Sequence, residues 1–193
     1  MWVLNVDTAG KTHKDIQTVE IESPRILSSR KNTQCLEEIV RHFEGGMDIP
    51  SCLLALELIF TTLLKDREML IEVVPLKPVE KTSENQYKEW LKNVYEECYT
   101  KMLQSIENGS HKIQVQGLST AMNILSYEGK FPLEAKDNYV PLTKLKAVLM
   151  KILSNKQNNA HLINKYTEYL LFDDILFFTW KVLPSLTAKI QPK

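Results

Sequence analysis

Apolar residues recur every three or four positions along most of this chain, the period of a helix with one buried face. Leu36, Ile39, Val40 and Phe43 stand at i, i+3, i+4 and i+7. Gly45-Gly46 follows, where glycine accepts the left-handed conformation that closes a helix. Asp48 is an N-cap and Pro50 a first-turn proline for a second helix, with Leu53, Leu56, Ile59, Phe60 and Leu63 on one face. Leu54, Ala55, Leu58 and Leu64 extend that face nearly all round, which predicts a helix set between other helices. Pro75 to Thr82 reads as a linker. Ser83 opens a third helix with Gln86 at capping-box spacing, and apolar positions run from Tyr87 to Ile106 until Asn108-Gly109. Ser110 caps a fourth helix carrying Ile113, Leu118, Met122 and Leu125, stopped by Gly129 and Pro132. Pro141 begins a fifth through Leu142, Leu145, Leu149, Ile152 and Leu153, and Asn158-Asn159 separates it from a sixth through Leu162, Ile163, Tyr166, Tyr169 and Leu170. Asp173 or Asp174 starts a seventh, which Pro184 should kink or end because proline lacks the donor and clashes with the preceding turn.

Helix pairs recurring at roughly forty to fifty residues predict an all-α chain, a HEAT-like right-handed α-solenoid of antiparallel helix pairs. A closed helical bundle is the alternative. The expected divisions are a poorly ordered segment 1–27, a first helix pair 28–74, a linker 75–82 and a helical-repeat region 83–193, truncated at its C-terminal end.

Composition narrows the function. Hydrophobic residues at 44% and charged residues at 25% allow a buried core. Lys+Arg and Asp+Glu are both 24, so the formal net charge is +0 and no chain-wide basic field exists to hold nucleic acid. Cys35, Cys52 and Cys98 form no disulfide framework and suit a reducing compartment. The N-terminus lacks a basic n-region and a long apolar run. The apolar run 52–64 is shorter than the ~20 residues of a membrane span, and 162–183 carries Lys165, Glu168, Asp173, Asp174 and Lys181. A soluble intracellular chain with no membrane span is expected.

Candidate chemistry is sparse. Gly10-Lys11-Thr12 after a strand-like Trp2–Val6 matches the end of a phosphate-binding loop, and Tyr169–Asp173 suggests a strand ending in a magnesium-binding aspartate. The loop requires a glycine five residues before Gly10, so that backbone amides can wrap the phosphates, and Asn5 stands there. A P-loop nucleotide hydrolase is thus the lesser alternative. Cys35 and His42 share a helical face, but seven residues span about 10 Å, too far for an imidazole to reach the thiol. His13, His111 and His161 have no metal-ligand spacing. Asn108-Gly109-Ser110 fits a glycosylation pattern and reads as a turn. The aromatic stripe Tyr87, Trp90, Tyr95 and Tyr99 has helical period and reads as core. Lys144, Lys146 and Lys151 form a modest basic face, at most a weak phosphate contact. No catalytic, cofactor-binding or metal residues are expected. The last helix carries apolar residues around most of its circumference, so part of it should stay uncovered; Ile175, Phe177, Phe178 and Trp180 are the candidate protein interface.

Four blocks occur in order: Tyr87-Lys88-Glu89-Trp90, Tyr127–Glu134, Asn138-Tyr139-Val140-Pro141 and Glu168–Asp174. Their order and spacing resemble the N-terminal half of the nucleolar complex protein four family of ribosome-assembly factors, with residues 27–75 fitting more loosely and 1–26 outside the resemblance. The resemblance implies a non-catalytic scaffold of the small-subunit processome in the nucleus and nucleolus. It implies work in ribosomal RNA processing and subunit export, with nucleolar protein fourteen, other processome proteins and the pre-ribosomal particle as partners and no cofactor. The family's C-terminal half is absent from this sequence. A generic HEAT-like adaptor is the alternative that differs only in partner.

Overall fold

A computed structural model describes residues 33–70, 82–134, 139–154 and 158–190. Among them are seven helices and no strand: α1 Thr33–Glu44, α2 Ile49–Lys65, α3 Ser83–Asn108, α4 His111–Lys130, α5 Leu142–Leu153, α6 Ala160–Tyr169 and α7 Asp173–Ile190. Segment 1–27, the linker 75–81, Gly10-Lys11-Thr12 and Asn138 lie outside the described residues.

Local signals set most boundaries. After α1, Met47 N donates to His42 O and Gly46 N to Phe43 O, a Schellman closure with Gly46 at φ 70°. Asp48 caps α2, its carboxylate accepting from Ser51 N at 3.5 Å. The same closure ends α2 with Arg67 at φ 57°, a left-handed position filled without glycine. One expectation is corrected and one is narrowed. The α3 cap is Thr82, whose hydroxyl accepts from Asn85 N at 3.1 Å, so Ser83 is the first helical residue and Gln86 is not its capping partner. Pro184 does not end α7, which continues to Ile190. Val182 and Leu186, on either side of it, are both buried and hold the helix to the core through the one lost backbone bond.

Cross-helix bonds give the topology. Gln116 on α4 donates to Pro50 O at 2.9 Å, and Glu57 further along α2 accepts from Thr120 (2.8 Å) and Asn123 (2.5 Å), so α2 and α4 run parallel. Lys144 meets Glu96 at 2.6 Å and Lys151 meets Glu107 at 2.5 Å, so α3 and α5 also run parallel. Between α3 and α4 the order reverses: Tyr95 bonds Glu128, Tyr99 bonds Ala121 O, and Glu107 O accepts from Gln114, so these neighbours are antiparallel. One layer is α2–α4–α6, the other α3–α5–α7, and α4 packs on α2, α3, α5 and α6. Consecutive helices pack on each other from α1 to α5, and next-but-one neighbours (α2 on α4, α3 on α5, α4 on α6, α5 on α7) carry the stack onward as an α-solenoid.

The core lies between the layers. Phe60 of α2 meets the Tyr95 ring edge-on at 5.0 Å, with Leu53, Leu56, Leu91, Met102, Leu118, Met122 and Ile124 fully buried around them. Tyr95 and Tyr99 are buried as the stripe predicts, while Tyr87 and Trp90, half-buried, stack on each other at 5.9 Å. The α2 surface is not covered all round: Leu54 and Leu58 are exposed.

Candidate interaction surface

The stack shows its largest apolar side chains at α7. Phe177 is 61% and Trp180 68% exposed, and Leu171 in the turn before α7 is 85% exposed. Phe177, Trp180 and the exposed Pro184 stand at i, i+3 and i+7, so they form one ridge about 10 Å long on the free face. The opposite face explains the rest of the sequence pattern. Ile175, Val182 and Leu186 are buried, and Thr179 bonds the Tyr166 hydroxyl of α6 at 2.6 Å. Ile175 therefore does not belong to the surface, because it points into the core. Phe178 is half-buried against the core, edge-on to Phe177 at 5.1 Å.

The basic face is not a free surface either. The Lys144 ammonium lies between Glu96 on α3 and Glu128 on α4, 5.0 Å over the Tyr95 ring and 5.7 Å over that of Tyr99. Lys151 is held by Glu107. Lys146 is half-buried on the same helix. Two of the three candidate phosphate lysines are thus committed to carboxylates of this chain, and their charge is neutralised locally.

Glu128 is the residue that sequence reasoning missed. It is wholly buried and accepts from the Tyr95 and Tyr139 hydroxyls, both at 2.5 Å, besides the Lys144 ammonium at 3.2 Å. Burial, then the Glu128 charge, pushes the Tyr95, Tyr99 and Tyr139 hydroxyls above the usual tyrosine range. Tyr95 and Tyr139 accordingly stay protonated and donate. The one signal available was that Glu128 and Tyr139 sit in two of the blocks that carry the family resemblance; the fold joins those blocks by a hydrogen bond.

The remaining polar groups are built for structure. Burial, then Glu97, pushes the Cys98 thiol up to about 12, and burial, then Asp48, raises that of Cys52, so neither is a ready nucleophile. His42 is exposed, and the side chain of Cys35 lies outside the described residues. His111 and His161 stack at 4.0 Å, with His161 Nε2 2.7 Å from Gln114 Oε1. Tyr169–Asp173 spans the end of α6 and the start of α7, so the strand that a nucleotide hydrolase would need is not formed there. Among the described residues no three His, Cys, Asp or Glu side chains converge on a metal-sized site. No helix among them is long and apolar enough to cross a membrane.

This architecture agrees with what the chain is similar to. The sequence model of the family described as "Nucleolar complex protein 4-like, TPR repeats" matches residues 7–191. The match takes in most of segment 1–26, which the ordered blocks left outside the resemblance, and its description names TPR rather than HEAT repeats. Nucleolar complex protein 4 homolog B of Xenopus laevis is 29% identical over 94% of this chain. Homolog A of the same species is 28% identical over 92%, and the Homo sapiens homolog 23% over 86%. The chain spans 37%, 36% and 34% of the lengths of these three proteins. No solved structure matches it. A two-layer helical stack matched by that model from residue 7 to residue 191 belongs to the nucleolar complex protein 4-like family.

Proposed function

We propose that the chain is a non-catalytic helical scaffold of nucleolar ribosome assembly, acting in the small-subunit processome during ribosomal RNA processing and subunit export. The family match over residues 7–191 carries this reading. The names of the relatives place those proteins in a nucleolar complex. The buried, protonated thiols and hydroxyls favour a scaffold over an enzyme. The Phe177–Trp180–Pro184 ridge is the protein-docking surface of this segment, and nucleolar protein fourteen, other processome proteins and the pre-ribosomal particle are its proposed partners. Phe177 and Trp180 are far more exposed than a core side chain, so charging them should spare the fold.

The experiment is affinity purification of the full-length protein that contains this segment, as wild type and as Phe177→Asp/Trp180→Asp. Wild type is expected to bring down small-subunit assembly factors, and the variant to lose a subset of them. Wild-type preparations devoid of such factors would overturn the assembly reading. An unchanged set with the variant would overturn the ridge.

A further inference from the structure

The docking ridge belongs to α7, and α7 takes its place in the stack through α5. Its extensive packing is on α5, supplemented by the Tyr166–Thr179 bond to α6. Whatever sets α5 along α3 and α4 therefore sets where the ridge points. Apolar contacts alone set this loosely. Leu145, Val148, Leu149 and Ile152 make a smooth aliphatic stripe, and sliding one turn along such a stripe exchanges similar contacts.

Two lysines on α5 break that degeneracy. Lys144 lies in the first turn and Lys151 in the last, and they meet Glu96 and Glu107, in the same order along α3. The two pairs are unequal. Lys151 and Glu107 are each about one-third exposed (31% and 35%), where water screens the attraction. Lys144 is 14% exposed and Glu128 0%, and both Tyr95 and Tyr139 hydroxyls close on the same carboxylate. Moving α5 by one turn, about 5.4 Å, would carry the ammonium away and leave Glu128 charged and buried. The cluster ties together α3 (Tyr95, Glu96, Tyr99), α4 (Glu128), Tyr139 before α5, and α5 itself (Lys144).

We propose that Glu128 and Lys144 are positioning residues for the docking ridge: their buried pair fixes the register of α5 on α3 and α4, and α5 passes that register to α7. The functional meaning rests on the ridge being a docking surface, but the register itself is testable without any partner.

Hydrogen exchange read helix by helix on the whole chain makes the test. In Lys144→Met, amides of α5 and α7 should exchange on the order of 100-fold faster while those of α2 stay as in wild type. Glu128→Gln/Lys144→Met should return α5 and α7 to within about tenfold of wild type, because the uncharged amide accepts from one tyrosine hydroxyl through its oxygen, donates to the other through its NH2, and strands no charge. Lys151→Met should change little. Uniform acceleration in all helices, failure of Lys144→Met to fold, no acceleration at all, or a double variant as fast as the single one would each overturn the proposal. Exchange as expected together with unaltered partner capture by Phe177→Asp/Trp180→Asp would instead retain the register and discard the docking reading.

Discussion

The His161 imidazole lies against that of His111, at the starts of α6 and α4, where both helix dipoles disfavour a cation. Burial, then the facing His111, lowers its pKa from the ordinary 6.5. The unfolded chain, with the more basic imidazole, therefore takes up the proton first. This residue costs no stability above about pH 7.5, and stability falls as pH drops through about 6.5 towards the lower folded value. By NMR the His161 ring should titrate below 6.5, and His111→Ala should move its midpoint up. The fall in melting temperature below pH 6.5 should be shallower in His161→Gln. A midpoint at or above 6.5 would contradict the account. None of this was legible in the sequence, where the two histidines stand fifty residues apart and look isolated; the contact is made by the parallel stacking of α4 and α6.

At the scale of the element, α3 and α4 approach closely at Gly117. A Cβ there would stand 2.5 Å from Ser105 Oγ, 3.4 Å from Ile106 Cγ1 and 3.6 Å from Met102 O. The first contact alone is prohibitive, and that hydroxyl is held by a 2.7 Å bond to Met102 O. Ser105→Ala removes the obstacle. Gly117→Ala should then stabilise the Ser105→Ala background by up to about 1 kcal/mol, the helix-propensity difference, whereas in wild type it should stabilise far less or not at all. Denaturant melts of the four proteins in this cycle decide it; equal effects in both backgrounds would refute the steric argument. Helix ends were largely readable because their signals are local: Gly46, Asp48 and Asp173 stand where their backbone chemistry is needed. Thr82 and Ser83 were not separable, since adjacent hydroxyl residues offer the same cap and the approach of the chain chooses between them. Pro184 does not end its helix, one of the two outcomes its sequence allowed, because burial on both sides of it holds the chain helical. Glu128, Lys144 and Lys151 were opaque for a further reason: their partners lie well outside the local helical window, and a charge alone reads as solvated surface.

For the whole molecule, equal numbers of acidic and basic residues and the internal pairing of Lys144 and Lys151 leave a small electrostatic footprint. Binding of the chain to generic RNA should be weak, with a shallow dependence of log affinity on log salt reflecting few phosphate contacts. Nanomolar affinity at physiological salt would refute that. The apolar ridge predicts association of another kind. The isolated chain should self-associate as its concentration rises in sedimentation experiments, and Phe177→Asp/Trp180→Asp should suppress this with a change in stability within about 0.5 kcal/mol, as for surface substitutions. A monomeric wild type across the range would show that the ridge is not sticky enough to act as proposed. That some of the last helix would stay uncovered was legible from the spread of its apolar residues. Which of them face outward was settled by α5 and α6, whose packing takes in Ile175 and leaves Phe177 and Trp180 outside.

The central place of α4 bears on the order in which the chain can be made. During synthesis α1, α2 and α3 emerge first, yet α2 and α3 touch each other far less than each touches α4. Their facing apolar surfaces, with Phe60 and Tyr95 among them, gain most of their cover only when residues 111–130 have left the ribosome. A nascent chain stopped before His111 should thus be protease-sensitive and in need of a chaperone. One extended past Lys130 should become resistant in a single step, after which α5, α6 and α7 add to an existing surface one at a time.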